Sequence, residues 1–153
     1  MKVQTYLREQ GVEFQEHEHP PAYTAQEVAA EEHVSGRMLA KAVVVRDGQG
    51  RYALCVLPAP QKLDLHKAAA AMGAKKAELA DEEAMAKLFP DAEVGAEPPF
   101  GNLYDLPTYV DARLAEDEEI VCQAGSHRRA IRLKYADFAR LAQPLVCDLA
   151  VGL

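Results

Sequence analysis

The sequence predicts an α+β domain: a mixed, barrel-like β-sheet with helices packed around it. Three observations carry that expectation. Several short runs are rich in β-branched residues, with MLAKAVVVR at 38–46 the strongest; segments of helical period with their own caps fall between them; and 153 residues is the length of one compact domain. Such a chain buries a core without disulfides or a structural metal. No internal repeat, low-complexity tract or linker divides it, so a single domain over 1–153 is expected.

Each element has a local reason. Val3, Tyr6 and Leu7 share one face of a helix over 2–10, which Gly11 stops. Val12 and Phe14 then alternate with polar residues up to His19, and Pro20-Pro21 ends that strand. Thr24 with Glu27 forms a capping box for a helix over 25–32, followed by a turn from His33 to Gly36. The strand at 38–46 is apolar on both faces and therefore central, and Asp47-Gly48 with Gly50 turns it into an antiparallel partner over 51–57. Asp64 caps a helix through Leu65, Ala68, Ala69 and Met72 that Gly73 closes, and a second helix runs over 81–89. The stretch from Val94 to Gly101 is too rich in Gly and Pro for regular structure. Strands follow at 108–111, 119–123, 130–134 and 146–151, with a helix over 135–142 that buries Phe138 and Leu141.

Composition narrows the function. Apolar residues make up 49% and charged residues 27%, ordinary for a globular protein. The N-terminus lacks the apolar core of a signal peptide, and no stretch approaches the ~20 apolar residues that span a bilayer, so a cytoplasmic protein with no membrane partner is expected. Cys55, Cys122 and Cys147 are far apart in apolar runs, away from zinc or redox spacings, and read as reduced core residues. A net charge of −7 disfavours a broad grip on nucleic acid, so any RNA contact must be local.

Lys41 stands out among the candidate functional residues. An ammonium group in the middle of an apolar strand needs a route to solvent or an anionic partner, so Lys41 either snorkels to the surface or marks an anion site inside a cleft. Gly95 and Gly101 either permit a tight connection or let backbone N–H groups approach a ligand. Ala124-Gly125-Ser126-His127-Arg128, between two strands, is a hairpin turn or a mount for His127 as a donor. His17 and His19 share one strand face but have no third ligand at motif spacing, so no metal is expected. Signatures of a Ser/His/Asp hydrolase, a Walker loop and a dinucleotide fold are missing.

Taken in order, His19-Pro20-Pro21-Ala22-Tyr23-Thr24, Gly36-Arg37-Met38-Leu39-Ala40-Lys41, the Gly95-x-x-x-Pro99 loop and Ala124-Gly125-Ser126-His127-Arg128 resemble the YbaK/prolyl-tRNA synthetase-associated editing domains over nearly the whole chain. The resemblance implies a metal-free, cofactor-free deacylase that hydrolyses mischarged tRNA, with Lys41, Gly95 and Pro99 as the catalytic set. Lys41 would hold the phosphate or ribose end of the terminal adenosine, and the glycine-to-proline loop would give backbone donors to the scissile carbonyl. Tyr23, Thr24, Phe100, Gly101, Gly125, Ser126 and His127 would bind substrate. The substrates implied are alanine, serine or cysteine on a proline or similar tRNA, engaged through the acceptor end with or without a synthetase partner. Two features depart from the pattern: Ala96-Glu97-Pro98 puts an acidic residue and an extra proline inside the loop, and the net charge is unhelpful for tRNA affinity. A non-catalytic module that binds an acceptor end or a synthetase is the main rival.

Overall fold

The structure, a computed structural model, describes residues 2–152, the Ala25 side chain excepted. In chain order its elements are α1 (Lys2–Glu9), β1 (Phe14–Glu18), α2 (Ala25–Glu31), β2 (Leu39–Asp47), β3 (Tyr52–Pro58), α3 (Leu65–Met72) and β4 (Ala77–Leu79). Then come α4 (Glu82–Leu88), β5 (Thr108–Asp111), β6 (Glu119–Gln123), β7 (Arg129–Lys134), α5 (Tyr135–Ala142) and β8 (Leu145–Cys147). The eight strands form one mixed sheet in the order β1-β7-β6-β2-β3-β5-β8, with β4 paired to β2. The long hairpin β2–β3 lies at its centre, as its two apolar faces require.

The caps form as expected. Thr24 Oγ1 accepts the Glu27 N–H at 3.1 Å while Glu27 Oε2 accepts the Tyr23 N–H at 3.5 Å, and Asp64 accepts from His66 and Lys67 at the start of α3. Gly73 ends α3 at φ 69°.

One strand was not anticipated and one expected strand needed correction. Ala77–Leu79 is a strand, antiparallel to the far end of β2, too short to carry a readable alternation. The last strand covers Leu145–Cys147 rather than 146–151. Beyond Cys147 the buried Asp111 carboxylate accepts the N–H groups of Leu149 and Ala150 at 2.8 and 3.1 Å, and these bonds draw the chain out of register with β5.

Alternation along the strands sorts side chains to two faces. The inner face contributes Ala40 and Val44 of β2, Leu54 and Val56 of β3, Val110 of β5, Ile120 and Cys122 of β6, and Ile131 and Leu133 of β7 to one core. Val3 and Leu7 of α1 and Phe138 and Leu141 of α5 close that core from the side. Five neighbouring strands thus surround one cluster, the mixed sheet with packed helices that the sequence predicted.

The outer face is covered in two separate places. Leu39 of β2 and Val121 of β6 pack under α2 with Val28, and Val45 and Cys55 pack under α3 with Ala68. Lys41 lies between Leu39 and Val45 on that face, in the interval between the two helical covers. The sheet also parts here. β6 runs parallel to β2 only at Leu39↔Val121 and Ala40↔Cys122, whereas β4 joins the same edge at Val45. No strand pairs with the edge of Lys41, Ala42 and Val43 in between.

Candidate functional site

A cleft of about 180 Å3 opens at this parting, lined by Lys41, Ala42, Tyr23, Gly95 and Gln123 among others. Among the described residues the Lys41 ammonium has no hydrogen bond or ion pair, and burial pulls its pKa below the ordinary lysine value. The absence of a counter-ion distinguishes it from Arg46, Arg51 and Lys67, each held by a carboxylate. Half-buried, the Lys41 side chain lines this cleft.

The backbone beside Lys41 is also unused. Val44 O accepts the Ala80 N–H at 2.9 Å on the β4 side, and the two-residue repeat of a strand turns the N–H and C=O of Ala42 the same way. They face the parting, where no strand meets them.

The far wall is built by two turns locked together. Glu93 N–H donates to Gly125 O at 2.8 Å and Gly125 N–H to Ala96 O at 2.9 Å. His127 donates its backbone N–H to Glu93 Oε1 at 3.1 Å and its Nε2–H to Val94 O at 2.9 Å. A carbonyl only accepts, so the proton of the neutral ring is fixed on Nε2, and the buried Nδ1 is left without a partner. Gly95, at φ 89°, lies over this ring: a Cβ there would sit 3.4 Å from His127 Cε1. Tyr23, 67% exposed, packs against His127 with ring centroids 4.7 Å apart and planes tilted by 39°, and Ala22 N–H donates to His127 O. The three segments singled out in the sequence around 19–24, 95–99 and 124–128 therefore converge beside Lys41.

The loop is not arranged as expected. Glu97 is buried, and its carboxylate accepts the Gly95 N–H at 2.8 and 3.2 Å, while Ala96 N–H is taken by Glu93 O. The first two donors of the glycine-to-proline loop are thus occupied from inside and are not offered to a carbonyl in the cleft. Burial pushes the Glu97 carboxyl up, and the N–H groups that it accepts oppose that shift.

Other expected site residues have structural roles. Phe100 is fully buried in the main core, edge-on to Phe138 at 5.3 Å, and does not line the cleft. Gly101 packs so closely that a Cβ would lie 2.4 Å from Thr108 Oγ1 and 2.7 Å from Leu106 O. Thr24 serves as the N-cap of α2, Ser126 Oγ accepts the Arg128 N–H, and Pro99 is buried. His17 pairs with Glu32 at 2.8 Å and His19 Nδ1 donates to Pro20 O at 2.7 Å; no group of three metal-ligating side chains is assembled among the described residues. Burial pushes the Cys55 and Cys122 thiols up to about 12, which removes them as nucleophiles at neutral pH. No helix among the described residues is long and apolar enough to cross a membrane.

Gln123 is the site residue that sequence reasoning missed. It ends β6 one step beyond the Ala40↔Cys122 pair, and thus beside Lys41, on the face that carries Val121. Its Nε2 is shut from solvent without a hydrogen-bond partner. A polar end to the run EIVCQ is visible in the sequence, but its significance depends on β6 lying parallel to β2, which no local pattern gives.

This is an α+β domain with a small cleft where the sheet parts, lined by the Lys41 ammonium and by Gln123, whose Nε2 has no hydrogen-bond partner. The family model for the aminoacyl-tRNA editing domain matches residues 19–141, and the chain belongs to that family. A curated relative, the multifunctional Ser/Thr-tRNA deacylase ProXp-y of Escherichia coli K12, is 35% identical over 109 residues, 69% of this chain and 65% of that protein. The match thus spans slightly less than two thirds of the relative's length. A crystal structure described as a candidate trans-editing enzyme for prolyl-tRNA synthetase superposes with a TM-score of 0.85 at 26% identity, covering 99% of this chain and 96% of that one. A hypothetical protein of known structure gives a TM-score of 0.89 at 20% identity over 99% of this chain and all of its own, a likeness of fold.

Proposed function

We propose that the protein is a trans-editing deacylase that hydrolyses the ester joining a small amino acid to the 3′ end of a tRNA. The observation that carries this reading is the unpaired Lys41 ammonium in a cleft of about 180 Å3. That space is well below the ~300–1,000 Å3 of sites for drug-sized ligands, and suits a small acyl group while the nucleotide stays at the rim.

Water adds to the ester carbonyl, the tetrahedral intermediate expels the ribose oxygen, and that oxygen takes up a proton, leaving free amino acid and intact tRNA. Aminoacyl esters are already activated, so positioning and charge stabilisation suffice without a strong protein base. Lys41 supplies the positive charge that holds the phosphate or ribose of the terminal adenosine. Tyr23, exposed at the rim and backed by His127, offers a face for a base to stack on. With the loop donors held by Glu97 and Glu93, the free N–H of Ala42 is the backbone donor nearest the parting. His127, its Nε2–H committed to Val94 and its Nδ1 shut from solvent, holds the loop in place rather than serving as the base.

The acyl groups proposed are alanine, serine and cysteine, carried by a proline or similar tRNA. The partner is the acceptor end, with assistance from a synthetase; the similarity to the candidate prolyl-tRNA synthetase trans-editing enzyme supports that choice. The test is a panel of mischarged tRNAs scored for release of amino acid over many turnovers. Stoichiometric binding without turnover would establish the rival reading, an acceptor-end binding module.

A further inference from the structure

We propose that Gln123 determines specificity by hydrogen-bonding the side-chain hydroxyl of the misattached amino acid, which makes serine and its homologue threonine better substrates than alanine. This inference rests on the deacylase reading above. It begins with an unmet need: a part-buried primary amide at the cleft whose Nε2 is shut from solvent and unpartnered carries a desolvation cost that a ligand can offset once the amide turns.

The position says which part of the substrate meets it. Tyr23 is at the exposed rim, whereas Gln123 lines the cleft with its Nε2 turned away from solvent, so an aminoacyl end entering first brings its acyl group against the open part of the Gln123 side chain and leaves the adenosine near Tyr23. The charge of the neighbour says which group of the acyl moiety is placed there. Lys41 lies alongside on the same sheet face, and its unpaired ammonium repels the α-ammonium of the substrate while accepting a neutral hydroxyl nearby. A hydroxyl donates one hydrogen bond and accepts others, and an amide does both, so rotation of the Gln123 amide about its soft terminal torsion satisfies both groups. Ala130, opposite Gln123 in the ladder with β7, is small and leaves the amide room to turn.

A pocket that merely excludes by size separates serine from alanine poorly, but a site built to bond a hydroxyl penalises the analogue lacking it, because its own polar group is then left unpaired. The experiment uses one tRNA charged in parallel with serine or alanine and measures kcat/KM on both for the unaltered protein, Gln123→Met and Gln123→Asn. The unaltered protein should favour serine by roughly tenfold or more, the worth of one such hydrogen bond at ~1.4 kcal/mol. Gln123→Met, similar in volume and without the amide, should lose that preference, its serine-to-alanine ratio of kcat/KM falling to within about twofold of one. Gln123→Asn should retain part of the preference. The serine-to-alanine ratio is taken within each preparation, so partial unfolding cancels. Equal losses on both substrates, or no preference in the unaltered protein, would overturn the assignment of Gln123 while leaving the deacylase reading intact. Failure to release either amino acid would overturn both.

Discussion

Lys41 and Glu97 are both charged groups held against their solvation preference, and they do opposite things with that cost. Lys41 is left without a counter-ion beside a cleft, where its charge is available to a ligand. Glu97 uses its carboxyl oxygens internally as acceptors for the Gly95 N–H, closing that turn over His127. The sign of its pH dependence follows. Its folded pKa is raised above the ordinary 4.5, so its contribution to stability is complete below that value and is lost as pH rises through the folded one. A Glu97→Gln variant keeps one acceptor for the Gly95 N–H and does not ionise. It should therefore gain stability relative to the parent between pH 4 and pH 7 in urea unfolding; a parent that gains on the variant over that interval would show that the backbone donors outweigh burial.

At the scale of elements, Asp111 at the end of β5 decides where the chain leaves the sheet. Its buried carboxylate accepts from Leu149, Ala150 and Arg113, and so replaces the ladder that would have extended β8. Asp111→Ala should cost at least about 2 kcal/mol in chemical denaturation, since the backbone N–H groups of Arg113, Leu149 and Ala150 lose their acceptor; a loss under half that would return the C-terminal segment to independent packing. The same region shows what the sequence could and could not disclose. The helices with Thr24 and Asp64 caps and the β2–β3 hairpin were legible because capping and alternation act within a few residues. The end of β8 and the strand Ala77–Leu79 were not, because each is fixed by a partner far away in sequence. The site divides the same way. Lys41 was visible as a charge in an apolar strand, and the convergence of three segments came from the family resemblance. Burial of Phe100, capture of the loop donors by Glu97 and the pairing that sets Gln123 beside Lys41 depend on tertiary packing.

At the scale of the whole molecule, a net charge of −7 limits how the proposed tRNA substrate can be held. Contacts restricted to the acceptor end displace few counter-ions, so the logarithm of kcat/KM should fall with the logarithm of salt concentration with a slope no steeper than about −3, corresponding to a few phosphate contacts. A slope approaching −6 would demand an extended grip that this charge does not support. The central claim is that the uncompensated Lys41 ammonium turns a small parting in the sheet into a deacylation site. Its most direct test is single-turnover release of serine from mischarged tRNA by the parent and by Lys41→Ala, paired with thermal unfolding of both. The account predicts that release collapses by about a hundredfold or more, on the scale of losing one electrostatic stabiliser of the reacting complex, while the melting temperature stays level or rises slightly because a desolvated cation is gone. Release within twofold of the parent by a fully folded Lys41→Ala protein would contradict it.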